Sequence, residues 1–299
     1  MKIDIWYGPH QVFGKHGHPQ RWVNILGNVS GGEGGVASLT YKLNGVPGAV
    51  PLSMGPDSRR LLSLGDFNVE LDRETLRPGL NEVVVTAVDE AGYRVSKATT
   101  VEYISDTVWP LPYTIDWRTI SEIEDVAQVV DGRWALKKDG IRPTVMGYDR
   151  IVALGDVTWT DYEVTAVITV HATDPAAYNP ISTGPGMGLL MRWTGHTNQP
   201  VVCPQPHCGW LPAGAFGWYA WEQDSARLYV ALGEDMTEVQ DSSGLRLAFD
   251  VRYVWKMRVQ TIAGEGTRYH LKAWSMGEPE PDDWLATART GLESLAHGS

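Results

Sequence analysis

Two cysteines, Cys203 and Cys208, stand with Pro204, Gln205, Pro206 and His207 between them, and Trp210, Trp218, Tyr219 and Trp221 follow closely. A gap of this size with two prolines brings two Cα atoms within disulfide reach and closes a short loop. Zinc would need four ligands. Cys203, Cys208, His207 and His196 are the local candidates, and His207 is too close to Cys208 for both to reach one ion comfortably. A thioredoxin-type pair needs a two-residue gap and a helix, and neither is present. The spacing predicts a disulfide ahead of free thiols or a metal site, which favours an oxidising compartment.

The aromatic residues beside this loop carry a second chemistry. Sugar rings present C–H patches that stack on flat indole and phenol faces, while neighbouring polar groups bind the hydroxyls. Arg192, Trp193, His196, Trp210, Trp218, Tyr219 and Trp221 are the candidate ligand-binding set. Within a strand over 215–222, Phe216 and Trp218 share one face while Gly217, Tyr219 and Trp221 share the other, so one set must face a core. Any single tryptophan here reads equally well as core filling. A basic alternation follows: Lys256 and Arg258 share a face of one strand, and Arg268, His270 and Lys272 share a face of the next. Paired, they would form a basic strip suited to a uronic-acid or sulfated glycan. Unpaired, they are an ordinary solvated sheet face.

Catalytic patterns are less complete. Glu222 and Asp224 have the i, i+2 spacing that places two carboxylates on one strand face, as a retaining glycosidase with acids about 5 Å apart requires. The third acid of the Glu-x-Asp-x-(x)-Glu pattern is missing, since Ala226 and Arg227 occupy its places. A lyase would need a Tyr or His base beside an Arg or Gln, and His171, Arg192, His196 and Tyr219 are the residues that could assemble one. His196 thus joins Glu222 and Asp224 as a catalytic candidate in the enzyme alternative. His10, His16 and His18 lie in one glycine-hinged stretch without an ordered fourth ligand. Asp149, Asp156 and Asp161 could hold a structural calcium through oxygen ligands. No cofactor is implied.

The elements that must position these residues are strands. "VASLTYKLN" alternates Leu39, Tyr41 and Leu43 with Ser38, Thr40 and Lys42, and "DYEVTAVITVH" alternates in the same way from Tyr162. This period of two marks a sheet with one dry and one wet side. "DEAGY" predicts a hairpin turn. A helical turn is expected only in "TISEIEDVAQVV" and "WLATARTGLESLA". The chain has 299 residues, 43% hydrophobic and 20% charged, long enough for two domains with their own cores. Trp6 and Trp22 alone precede residue 109, although the chain holds 13 tryptophans. That shift predicts a domain at 1–104, a linker at 105–112 and a second domain at 113–299.

The formal charge of −11 repels a phosphate backbone, so nucleic acid is not an expected partner. No run approaches the roughly 18 apolar residues of a membrane span, so no membrane insertion is expected. "MKIDIWYGPH" lacks the pattern of a signal peptide, which leaves a cytosolic chain or the mature region of a longer secreted protein.

"V.ILGNVS", "SLTYKLNG", "GDFNVELD" and "LRPGLNEVVVTAVDEAG" resemble bacterial immunoglobulin-like and cadherin-like modules, which implies a sandwich used as a spacer. "YDRIVALGDVTWTDYEVTAVITVH", "GMGLLMRWTGH", "GAFGWYAW" and "RYHLKAWSMGEPEPDDW" resemble laminin-G-like, concanavalin A-like sandwiches of bacterial secreted proteins. That fold carries lectins, binding modules, hydrolases and lyases alike. The resemblance implies another apolar strand after "ARTGLESLAHGS", so the jelly-roll is expected to lack its last strand, as a piece of a longer chain or as an open edge. The expected protein is all-β, an immunoglobulin-like sandwich followed by a concanavalin A-like one. It would be an extracellular or cell-surface module that binds a polysaccharide or glycan without cleaving it, alongside other domains of a longer chain. The alternative is a polysaccharide-degrading enzyme on the same fold.

Overall fold

The computed structural model describes residues 1–174, 176, 184–222, 225–241 and 243–299, with the side chains of Glu222 and Ser225 outside the description. Strands dominate, as the period-two alternation predicts, and short 3-10 turns at Arg73–Thr75, Trp117–Thr119 and Ile123–Asp125 interrupt them. The chain forms two compact units, residues 1–156 with 195–209, and residues 157–194 with 210–299.

The first unit opens with β1 (Lys2–Ile5), β2 (His10–Phe13), β3 (Trp22–Ser30), β4 (Val36–Leu43), β5 (Val50–Pro51), β6 (Asp66–Asp72), β7 (Gly79–Asp89) and β8 (Arg94–Tyr103). They form two sheets, ordered β1-β3-β6 and β2-β8-β7-β4-β5. Val23, Ile25, Phe67, Val69 and Leu71 from one sheet meet Leu39, Tyr41, Val83, Val85 and Val101 from the other in a shared core. The hairpin expected at "DEAGY" joins β7 to β8: Asp89 accepts the Tyr93 N–H at 2.8 Å, and Gly92 takes a φ of +83°.

The unit does not end at the expected linker. In β3 and β6 the residues facing away from that core, Asn24, Leu26, Asn68 and Glu70, are buried as well. Leu26 packs with Ile123, Ala127 and Val129, beside the partly buried Trp6, Trp117, Trp134 and Leu136. Residues 113–156 therefore group with the first unit rather than the second. They carry β9 (Gln128–Val129), β10 (Trp134–Lys137), β11 (Gly140–Pro143) and β12 (Val152–Ala153), which pair as two small hairpin-like ribbons, β9 with β12 and β10 with β11.

The second unit holds β13 (Tyr162–Thr169), β14 (Gly186–Trp193), β15 (Ala213–Glu222), β16 (Ser225–Leu232), β17 (Glu238–Gln240), β18 (Arg252–Ile262), β19 (Gly266–Ser275) and β20 (Ala286–Thr290). Two antiparallel four-stranded sheets result, β13-β18-β19-β20 and β14-β15-β16-β17. Met191, Tyr219, Leu228 and Val230 from one interdigitate with Trp255, Met257, Tyr269 and Leu271 from the other. Gly217 allows this approach, because a Cβ there would stand 2.7 Å from the Met257 sulfur. The helical turn expected in "WLATARTGLESLA" is instead the edge strand β20, with Ala286, Ala288 and Thr290 buried and Thr287 and Arg289 exposed. Alanine favours helices locally, but here it supplies the small side chains that fit under the facing sheet. In "TISEIEDVAQVV" the turns are 3-10 and end in β9.

Candidate functional site

The outward face of the β13-β18-β19-β20 sheet gathers charge that the sequence leaves spread along the chain. The register sets Lys256 opposite Lys272, Arg258 opposite His270, and Gln260 opposite Arg268. Arg268 in turn faces Arg289, and Arg258 faces Glu163. The inward partners of these residues, Trp255, Met257, Tyr269 and Leu271, are fully buried, which fixes the basic set on the other side. Like charges directly opposite one another destabilise a sheet unless something neutralises them.

Here the neutralising group comes from the segment 276–284 that follows β19. The Glu280 carboxylate accepts hydrogen bonds from Lys256 at 2.7 Å and pairs with Lys272 at 2.7 Å. Lys272 also donates to the Pro281 carbonyl at 2.6 Å. The hydrogen bonds from the two ammonium groups hold the Glu280 pKa down at about 2, and the same contact raises Lys256. Two indoles border the pair. Trp284 lies 4.7 Å from the Lys272 nitrogen and 5.1 Å from the Arg258 guanidinium, and stacks on His270 with ring centres 5.2 Å apart. Trp274 is 5.8 Å from Lys256 and 5.9 Å from Lys272. Partial burial, followed by the nearby guanidiniums of Arg258, Arg268 and Arg289, lowers the His270 pKa, so the ring is mainly neutral at pH 7. Chemically, this is a set of cations beside flat aromatic faces, able to hold a carboxylate or sulfate and to stack a ring.

A second polar cluster lies in the first unit, on the outward side of β3 and β6. Arg60 donates to Asp131 at 2.6 Å and also to Glu70. His196 meets the second Asp131 oxygen at 3.0 Å, and His207 meets Glu70 at 2.8 Å. The Gln205 side-chain amide exchanges two hydrogen bonds with the Glu70 backbone, each 3.2 Å. The side chains of Arg60, Glu70 and His196 are wholly inaccessible. Burial alone would raise both carboxyls, but Arg60 overcomes it and holds Glu70 and Asp131 below their ordinary values. Burial and Arg60 lower the His196 pKa, against the pull of Asp131. His196 turns its other nitrogen to the Gly209 carbonyl at 3.1 Å, so both ring nitrogens have internal partners. The cluster fastens residues 195–209 to the sheet.

Sequence reasoning missed Arg60, Glu70 and Asp131. In "DFNVELD", Asn68 and Glu70 alternate with Phe67, Val69 and Leu71, the pattern of a wet outer face. The available signal was the companion pattern in β3, where Asn24 and Leu26 share the same outward side and Leu26 would be unsuited to water.

The candidates named from sequence fall in different places. Cys203 and Cys208 form the expected disulfide, with Cα atoms 5.5 Å apart. The stapled loop and His196 belong to the first unit, whereas Arg192, Trp193, Trp210, Trp218, Tyr219 and Trp221 belong to the second. Arg192 does not line a groove. It is fully buried, and its guanidinium donates to Thr160 O, Thr261, Thr267 and Leu295 O and pairs with Asp161. Trp193 and Tyr219 are buried too, and the Tyr219 hydroxyl accepts the Leu247 N–H at 3.0 Å. Trp221 lies on the same core side, its ring 4.6 Å from Tyr219. Gly217, Tyr219 and Trp221 are thus the inward set of β15. Phe216 and Trp218 are outward, half-buried beside buried Tyr229, and Trp210 meets Phe216 edge-on at 5.7 Å.

Glu222 pairs with Ser225 through the backbone register, and Asp224 lies outside the described residues. His171 pairs with Asp250 at the surface, away from the buried Arg192 and Tyr219, so the lyase set is not assembled. His10 binds Glu102, His16 the Asp125 carbonyl and His18 the Ser105 carbonyl, three separate partners. Asp156 accepts N–H groups of His18 and Trp109, while Asp161 accepts from Thr261 in the other unit. Among the described residues no three or more His, Cys, Asp or Glu groups are arranged to hold a metal ion.

The fold and this face together define an all-β protein with a basic, indole-bordered sheet surface. No protein-family model matches the chain, and no curated protein sequence matches it.

Proposed function

We propose that the chain is a non-catalytic glycan-binding part of a larger secreted or cell-surface protein. The observation that carries this reading is the outward face of β18 and β19, where Lys256, Lys272 and Arg258 lie beside Trp274 and Trp284. Indoles supply stacking surfaces for sugar rings, and the bases supply directional donors to hydroxyl and acidic groups. The two sheets of the second unit fit a laminin-G-like, concanavalin A-like sandwich. The first unit fits an immunoglobulin-like spacer, since β1, β3 and β6 form one sheet and β4, β7 and β8 belong to the other. The Cys203–Cys208 disulfide supports an oxidising location.

The test is affinity electrophoresis against a panel of soluble polysaccharides, with released reducing or unsaturated ends measured in the same samples. Retardation without new chain ends is expected, and Trp274→Ala should weaken it about tenfold. Newly released ends would replace the binding role with catalysis. Free migration in every polysaccharide would remove the glycan reading.

A further inference from the structure

We infer that Glu280 is an internal stand-in for the acidic group of the ligand, and that a uronate carboxylate or sulfate ester takes its place between Lys256 and Lys272. This rests on the glycan-binding reading of the same face and names the ligand class: an acidic polysaccharide.

Three observations converge on it. First, the two lysines are opposite one another in register and nearly buried, with side-chain exposures of 15% and 6%. Such a pair needs an anion, whatever its source. Second, the one anion that both lysines share belongs to no strand, whereas Glu163 of β13 reaches Lys256 alone, at 3.6 Å. Glu280 is 43% exposed, and its neighbours Met276, Gly277, Glu278, Pro279, Asp282 and Asp283 are exposed as well. This arch is held at its start by the Met276 N–H on the Arg252 carbonyl, and it touches the sheet face through the Glu280 carboxylate, the Pro281 carbonyl and the Trp284 ring. Segments with few buried contacts open at low cost. Third, the surroundings exceed what a tether requires. Arg258, Arg268 and Arg289 continue the basic row beyond the lysines, partnered by Glu163 and Glu265 at the rim. An acidic polymer has a next residue and a next charge, and a single internal carboxylate does not.

In the resting protein the arch therefore competes with ligand. Glu280 neutralises the lysines and keeps the strip from binding anions indiscriminately. An acidic sugar that pairs with both ammonium groups and stacks on Trp274 of β19 makes contacts that Glu280 cannot, and displaces it. Internal competition lowers apparent affinity by the fraction of time the site is free.

The experiment compares polygalacturonate with its fully methyl-esterified form, and dextran sulfate with dextran, by calorimetry at low and moderate salt. Glu280→Gln should bind polygalacturonate or dextran sulfate about tenfold tighter than the wild type, with the gain shrinking as salt rises. Its binding to the uncharged polymers should be unchanged. Lys256→Gln and Lys272→Gln should lose the preference for the acidic forms. A folded Glu280→Gln protein that binds both acidic polymers no tighter than the wild type would overturn the inference. Hydrogen exchange of the wild type covers the case in which the variant does not fold: an acidic polymer should speed exchange across 276–284, and unchanged or slower exchange would equally overturn the inference. Equal binding of charged and uncharged polymers by every variant would leave the glycan reading standing and remove this one. No binding of any polymer would remove both.

Discussion

Glu124 lines a small cavity of the first unit with His16, Trp109 and Gln128. Burial, and then the nearby charges of Glu122 and Asp125, raise its pKa from 4.5 to about 7. Between those two values the folded protein keeps a proton that the unfolded chain releases. Stability therefore falls as pH rises through this window, and the loss is complete above it. Glu124→Gln should stabilise the protein by about 2 kcal/mol at pH 8 and change little at pH 4, read from urea unfolding at both pH values. An equal effect at both would show that charge at Glu124 is not the cause. Arg192 and Lys272 make the complementary point. Both are cations in β-strands of the second unit, yet one is enclosed by Thr160, Thr261 and Thr267 while the other has its ammonium on the outward face.

At the scale of elements, the loop 195–209 illustrates how a short closed segment is fastened to a sheet far from it in sequence. The Cys203–Cys208 link restricts the loop, while Gln205 and His207 attach it to Glu70. Replacing both cysteines by serine should cost about 2 kcal/mol, because the small ring no longer limits the unfolded chain. Limited proteolysis should then cut between residues 198 and 208 sooner than in the wild type. Unchanged cutting would mean that the Glu70 contacts alone hold the loop. Polygalacturonate binding should be unaffected in either case, since the candidate face lies on β18 and β19.

For the molecule as a whole, the expected division at 105–112 and the compact units differ in a way that can be measured. A fragment spanning residues 1–104 keeps both sheets of the first sandwich but loses Ile123, Ala127, Val129 and Asp131. Leu26, Asn24, Asn68 and Glu70 would then face water, with Arg60 and Glu70 as the remaining ion pair. Such a fragment should bind a hydrophobic dye and unfold at lower temperature than one spanning residues 1–156. If the two melt alike and bind no dye, the covering segment contributes little to stability. The overall charge of −11 also matters at this scale, because an acidic polymer must approach through a repulsive average field. Binding confined to the basic strip should be slowed, not blocked, and salt acts on both terms.

Much of this was legible in the sequence. The all-β class follows from alternation in segments such as "SLTYKL" and "YEVTAVI", because a two-residue period has no other regular solution. The disulfide follows from the spacing of Cys203 and Cys208, and the shared faces of Lys256 and Arg258, and of Arg268, His270 and Lys272, follow from parity. Parity divides a strand into two faces but does not say which is dry, or whether both are. Tertiary structure alone placed Tyr219 and Trp221 inward, enclosed Arg192, and buried the polar side of β3 and β6 under residues from 113–156 and 195–209. It alone set Lys256 opposite Lys272 and brought Glu280 between them. The physical reason is that register and coverage are set by what packs across the sheet, and those partners lie far away in the chain.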